Sequence, residues 1–104
     1  MRLTQSQANT FKTASIRHFG SGVRVWLFGS RVDDNLRGGD YDFYIETSVK
    51  DASQVIESKI KLLAELHTTP EFADEKIDLV IRPNFDELVE LPIYRIAKLE
   101  GIEL

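Results

Sequence analysis

The chain has 104 residues, a length that supports one hydrophobic core, so we expect a single domain spanning residues 1–104. Its 42% hydrophobic and 29% charged residues are typical of a globular protein and exclude a disordered chain. The absence of cysteine excludes disulfides, thiolate metal sites and thiol nucleophiles. No apolar run approaches the ~20 residues of a membrane helix, and no secretory signal is recognisable, so we expect a cytoplasmic protein.

The net charge of −4 is unevenly distributed along the chain. Residues 1–50 carry seven Lys and Arg against five Asp and Glu, which gives +2, whereas residues 51–104 carry six against twelve, which gives −6. Because an acidic surface repels a phosphodiester backbone, we expect no broad nucleic-acid-binding face. The more basic half still allows a small phosphate ligand, and the acidic half suits a cationic protein partner or serves only solubility.

The first predicted elements are a helix and a strand. Thr4 and Gln7 have the spacing of a capping box, which predicts a helix beginning near Gln5. Gly20 is a typical residue at the end of such a helix. The β-branched and aromatic run over residues 23–28 then predicts a strand.

A second strand is predicted after a polar, glycine-containing loop over residues 29–39. Residues 40–47 alternate between two kinds of side chain, which predicts a half-buried strand with one polar face. The apolar face consists of Tyr41, Phe43 and Ile45, and the polar face consists of Asp40, Asp42, Tyr44 and Glu46.

The second half of the chain alternates between helices and a strand. Residues 51–66 predict an amphipathic helix, and residues 76–81 predict a third strand. Asn84 and Glu87 predict a short capped helix, and Pro92 starts a last helix that ends at a glycine. We therefore expect an α/β domain with a small mixed sheet of three to four strands flanked by helices. The predicted apolar stripe of the long helix is Val55, Ile56, Ile60, Leu63 and Leu66.

Three aspartates on two predicted strands are candidate metal ligands. Asp40 and Asp42 are two residues apart, so their side chains share one face of a strand. Their mutual repulsion is relieved by a cation, by Arg or Lys, or by water, and carboxylate oxygens are ligands that magnesium prefers. Asp78 joins them if its strand pairs beside theirs with the right face up, although it also fits a solvent-facing edge position. The sequence leaves that pairing open.

The loop before these aspartates is a candidate phosphate-binding segment. Gly29 and Ser30 follow directly on a strand, and glycine allows a tight turn that a ligand can approach closely. Backbone N–H groups and a serine hydroxyl bind phosphate oxygens, and Arg31 and Arg37 are placed to add charged contacts. A Gly-Ser pair or an Asp-x-Asp pair alone is common, whereas the ordered combination is far more specific and has the layout that phosphoryl chemistry needs.

This combination resembles a known family. The segments Phe28-Gly29-Ser30, Asp40-Tyr41-Asp42-Phe43 and Ile77-Asp78-Leu79 are similar to those of the nucleotidyltransferase superfamily of DNA polymerase beta. The resemblance is greatest to its minimal bacterial and archaeal members and covers essentially the whole chain. It implies a nucleotidyltransferase fold like the palm of polymerase beta. The chain departs from the family at Tyr41 and Phe43, where smaller aliphatic residues are more usual. Its loop between Ser30 and Asp40 is also short for the family.

The resemblance also implies roles for individual residues. Asp40, Asp42 and Asp78 would be catalytic and would hold magnesium, with two ions expected. The residue matching Asp78 would also help deprotonate the acceptor hydroxyl. Gly29 and Ser30 would hold the phosphates of ATP, the expected nucleotide substrate.

The activity that the resemblance implies is transfer of a nucleoside monophosphate, AMP from ATP, to a hydroxyl. Minimal members are often paired with a small helical HEPN-domain protein that resembles a ribonuclease toxin. The nucleotidyltransferase then acts as the antitoxin by modifying a tyrosine of the toxin, so we expect such a partner and a homo- or hetero-oligomer. Two alternatives stay open: a non-catalytic antitoxin that blocks its partner sterically, and a nucleotidyltransferase with a small-molecule or RNA acceptor.

Overall fold

A computed structural model describes residues 1–84 and 90–104. The short helix predicted from Asn84 and Glu87 falls largely on residues 85–89 and lies outside the described residues. Within the described ranges, no helix is long and apolar enough to cross a membrane. The elements are α1 (Gln5–Phe19), β1 (Arg24–Phe28), a 3-10 helix (Gly29–Val32), β2 (Tyr41–Glu46), α2 (Ala52–Leu66), β3 (Ile77–Arg82), α3 (Pro92–Glu100) and β4 (Ile102–Glu103).

The strands form one mixed sheet in the order β3-β2-β1-β4. β1 is antiparallel to both β2 and β4, whereas β2 and β3 are parallel and are connected through α2. This confirms the α/β class and the expected small mixed sheet. The predicted order of elements lacked β4, which has only two residues and therefore no periodic pattern in the sequence.

α1 begins and ends where the sequence predicts. The Thr4 hydroxyl accepts a hydrogen bond from the Gln7 backbone N–H, and the Gln7 side chain accepts one from the Thr4 backbone N–H, both at 3.0 Å. This reciprocal capping satisfies two donors at the helix start. Gly20 ends the helix with a φ of 97°, a conformation that glycine adopts without steric cost.

The main core lies between the sheet and the helices α1 and α2. Phe43 of β2 stacks on Phe11 of α1 with ring centroids 3.7 Å apart, and Phe72 packs edge-on against it at 6.0 Å. All three rings are fully buried, and burying each contributes about 1.5–3 kcal/mol. The predicted apolar face of β2 is confirmed by this core.

The predicted apolar stripe of α2 is wrong in part, although the helix bounds are confirmed. Ile56 and Ile60 are 61% and 63% exposed, whereas Ser58, Leu62 and Leu66 are buried. These three residues follow one another at intervals of four and form one face. Because Ser58 is small and polar, a pattern of hydrophobic residues does not identify this buried face.

α3 packs on the opposite face of the sheet. Its Tyr94 lies 5.9 Å, centroid to centroid, from Tyr44 of β2, which in turn lies 5.2 Å from Trp26 of β1. Gly101 allows this close approach, because a side-chain carbon there would lie 2.8 Å from the Leu27 carbonyl oxygen. The face predicted to be polar is therefore polar only towards its ends, with a buried aromatic cluster in the middle.

Candidate functional site

The sheet pairing brings two of the three candidate carboxylates, Asp42 and Asp78, to one place. Asp42 of β2 and Asp78 of β3 are direct partners in the parallel ladder, so their side chains lie on the same face of the sheet. Asp40 lies just before the start of β2, close enough for its charge to act on Asp42. The side chain of Asp42 is half-buried, whereas Asp78 is exposed on a strand at the edge of the sheet.

Asp40 has a cationic neighbour. The Lys76 ammonium nitrogen lies 3.3 Å from Oδ2 of Asp40, and both side chains are largely accessible to water. Among residues 1–84 and 90–104, no three Asp, Glu or His side chains are arranged to hold a metal ion as they stand. For Asp40 to share an ion with the other two carboxylates, it must leave Lys76, and an exposed ion pair of this kind separates at a cost of only about 1 kcal/mol or less.

The environment of Asp42 favours its neutral form or a bound cation. Burial raises the pKa of the Asp42 carboxyl, and the negative charges of Asp78 and Asp40 raise it further, while Lys76 partly offsets them. Carboxylate oxygens held together in this way are the donor type that a hard divalent cation selects. The residues thus fit magnesium by their chemistry, and an ion there would remove the repulsion.

The Gly-Ser turn lies directly against Asp42. Gly29 has a φ of 75°, and a side-chain carbon at this position would overlap Oδ2 of Asp42. Phe28, the residue before it, is the ladder partner of Asp42 on the antiparallel side. The turn and Asp78 therefore flank Asp42 from opposite sides, with the turn on the β1 side and Asp78 on the β3 side.

Ser30 is half-buried beside the end of the loop. A side-chain carbon on Gly39 would lie 2.5 Å from the Ser30 hydroxyl oxygen, and Gly39 has a φ of 91°. Only glycine combines this backbone conformation with this clearance. The Ser30 hydroxyl therefore lies next to Gly39, the residue that precedes Asp40.

Arg31 is not brought together with the carboxylates. Its guanidinium carbon lies 4.0 Å from the centroid of the Tyr41 ring, and its Nε donates a hydrogen bond of 3.2 Å to the Gly39 carbonyl. Tyr41 belongs to the face of β2 opposite Asp42. Arg31 thus stabilises the loop from the other side of the sheet, and its expected contact with phosphate stays a prediction.

Arg2 is a loop-holding residue that sequence reasoning missed. Its backbone N–H donates a 2.7 Å hydrogen bond to the Arg31 carbonyl. Its guanidinium donates to three further carbonyls of the same loop, at distances of 2.6–2.9 Å: Ser30, Asp33 and Gly38. Backbone carbonyls carry no residue signature, so nothing in the sequence marks them as acceptors.

Tyr44 shares the face of Asp40 and Asp42 but does not line the candidate site. It is fully buried beneath α3, and its hydroxyl donates a 2.8 Å hydrogen bond to Oε2 of Glu46. Burial raises the pKa of the Tyr44 hydroxyl well above its usual range, and the bond to Glu46 raises it further. This tyrosine is a core residue directed away from the aspartates.

No protein-family model matches the chain, and no curated protein matches it either. The paired carboxylates and the adjoining turn are therefore the observations on which a proposal about function can rest.

Proposed function

We propose that this chain is a magnesium-dependent nucleotidyltransferase domain that transfers AMP from ATP to a hydroxyl and releases pyrophosphate. The observation that supports this most is the register of the sheet, which pairs Asp42 with Asp78 directly. The contact of the Gly29 turn with Asp42 adds a phosphate-binding segment at the same point. The resemblance in sequence supplies the reaction class.

In this proposal the three carboxylates bind the metal and the turn binds the phosphates. Asp40, Asp42 and Asp78 would hold magnesium, which when bound neutralises charge on the triphosphate and favours ionisation of an attacking hydroxyl. The unobstructed backbone of Gly29 and the hydroxyl of Ser30 bind phosphate oxygens on the β1 side. The nucleotide would then lie at the end of strands β1 and β2, beside the turn and clear of α3.

The acceptor approaches from the outer side. Asp78 is exposed and lies on β3, an edge strand. Its carboxylate takes the proton of the acceptor hydroxyl as the hydroxyl oxygen bonds to the α-phosphorus. The bond from the α-phosphorus to the bridging oxygen breaks, and pyrophosphate leaves with the electron pair.

The proposed acceptor is a tyrosine of a HEPN-domain toxin, and the proposed role is that of an antitoxin. The resemblance to minimal family members suggests this partner. The balance of six basic against twelve acidic residues in residues 51–104 supports a cationic partner such as an RNA-cleaving protein.

The test is transfer of label from α-labelled ATP to the purified HEPN-domain partner in the presence of magnesium. We expect labelling by the wild type and by Asp74→Asn, an exposed control. Asp42→Asn should lose both ATP binding and transfer, whereas Asp78→Asn should lose transfer more than binding. Transfer at the wild-type rate by the Asp40→Asn, Asp42→Asn double variant would place the active site elsewhere. Neutralisation of the toxin by that variant without transfer would favour the steric alternative.

A further inference from the structure

α3 carries an apolar stripe on the side facing away from the sheet. Tyr94 and Ala97 are buried against β1 and β2, whereas Ile96 and Leu99 are 45% and 75% exposed. Leu99 is the most exposed of the large apolar residues found among residues 1–84 and 90–104. The helix therefore has one apolar side in the core and a second apolar side in solvent, an arrangement typical of helices that bind a partner.

The charges beside this stripe have a particular order. Arg95 directly precedes Ile96, and Glu100 directly follows Leu99. In heptad terms Ile96 and Leu99 occupy the a and d positions, so Arg95 is at g and Glu100 at e. The two charges lie on opposite flanks of the stripe, five residues apart, a spacing that does not bring them together within one helix. None of the ion pairs found in residues 1–84 and 90–104 involves either residue.

We propose that α3 is a homodimer interface, in which the helices of two copies lie parallel about a two-fold axis. In a parallel pair, a residue at g contacts the residue at e five positions later in the partner helix. Arg95 of each copy then meets Glu100 of the other, and Ile96 and Leu99 close the space between the helices. The inference does not depend on the proposed enzymatic function.

The charge order selects both the occupant and the orientation. In an antiparallel pair, like flanks meet, so Arg95 would face Arg95 of the partner subunit and the acidic flanks would face each other. A foreign partner with a surface of one charge sign would match only one of the two flanks. A second copy in parallel orientation satisfies both, because a two-fold axis makes the same patch complementary to itself.

Sedimentation velocity of the full chain tests the interface. We expect the weight-average mass to rise with concentration from that of one chain towards that of two. Arg95→Glu and Glu100→Arg should each weaken self-association about tenfold or more, because two attractive pairs become repulsive. An equimolar mixture of the two variants, and the double variant carrying both changes, should recover it. Lys50→Glu, an exposed charge reversal outside α3, should have no effect.

Disulfide trapping tests the orientation. Because the chain has no cysteine, Leu99→Cys introduces a single thiol at a site that is exposed in one copy. In the parallel pair the two introduced thiols face each other, so mild oxidation should give a covalent dimer, while Ile56→Cys on α2 should not. A chain that stays monomeric at all concentrations would overturn the proposal. So would a dimer that is indifferent to Arg95→Glu, or one that Leu99→Cys fails to trap.

Discussion

Asp42 lies at the centre of the candidate site. It is the ladder partner of Asp78, follows Asp40 by two residues and contacts the backbone of Gly29. Burial raises its pKa above the ordinary value of 3.8, and the neighbouring aspartates add to the effect. The folded protein therefore holds this proton more tightly than the unfolded chain does, so ionisation of Asp42 lowers folding stability.

The first prediction is that Asp42→Asn stabilises the metal-free protein. The destabilisation that ionised Asp42 causes is absent below the pKa of this carboxyl in the unfolded chain. It develops as pH rises through the raised pKa of the folded protein and is complete above it. The asparagine variant does not ionise, so with a chelator at neutral pH it should melt a few degrees higher than the wild type. The difference should narrow as pH falls. The measurement is thermal unfolding of both proteins from neutral pH down to the unfolded-state pKa of Asp42. Equal melting temperatures of Asp42→Asn and the wild type at neutral pH would contradict the electrostatic account.

The second prediction concerns the glycine of the turn. Gly29→Ala forces a side chain into a φ of 75° and into the Asp42 carboxylate. We expect a loss of about 1–3 kcal/mol in the free energy of unfolding, measured by urea denaturation, together with loss of ATP binding. Gly22→Ala is the matched control, since nothing lies within 4 Å of its added carbon and its φ is not in the left-handed region. Similar stability of the two variants would mean that the turn relaxes without difficulty.

The loop between β1 and β2 is the element that connects the two halves of the candidate site. It starts at Gly29, ends before Asp40, and is held by hydrogen bonds from Arg2 to the Ser30, Asp33 and Gly38 carbonyls. A guanidinium presents several donors in a fixed plane, whereas an ammonium is a single point. Arg2 therefore acts on the site only through the backbone of this loop.

The third prediction is that Arg2→Lys weakens ATP binding even though charge is conserved. A lysine cannot reach all three carbonyls at once, so the loop becomes more mobile and Ser30 is held less well. Each lost charged hydrogen bond is worth about 1.5–3 kcal/mol of loop stability. ATP must then order a looser loop on binding, so we expect its affinity to fall about tenfold. Calorimetric titration gives the affinity, with Arg17→Lys, an exposed arginine on α1 outside the loop, as control. ATP affinity unchanged in Arg2→Lys would show that the loop holds its shape without this contact.

The elements also show which parts of the fold and of the candidate site can be predicted from the sequence. The capping box at Thr4, the period-two pattern of β2 and the Gly-Ser turn each lie within a few consecutive residues, and the corresponding structure was predictable. Asp42 and Asp78 lie 36 positions apart in the sequence, and local patterns do not reveal that their strands pair. The contact of Lys76 with Asp40 depends on the same pairing.

Two misreadings have local physical causes. The hydrophobic pattern does not identify the buried face of α2, because that face includes Ser58, a small polar residue that is nevertheless buried. β4 was absent from the predicted order because two residues, Ile102 and Glu103, cannot display a strand period. In both cases tertiary contacts, rather than the local sequence, decide the outcome.

At the scale of the whole molecule, the two faces of the sheet are used differently. α1 and α2 pack on one face and build the main core. α3 packs on the middle of the other face through Tyr94 and Ala97, next to Tyr44. The end that carries Asp42 and Asp78 remains accessible beside an edge strand. Under the proposed function, the acceptor hydroxyl would approach the carboxylates at this accessible end.

Magnesium-dependent binding of ATP tests the central claim most directly. Calorimetric titration of the wild type with ATP should give measurable binding with magnesium and a sharp loss of affinity with a chelator. Without the ion, the triphosphate faces the bare carboxylates of Asp40, Asp42 and Asp78. Asp42→Asn should abolish the magnesium dependence, and Asp74→Asn should retain it. ATP affinity that is the same with magnesium and with chelator, or that is unchanged in Asp42→Asn, would contradict the assignment of this site.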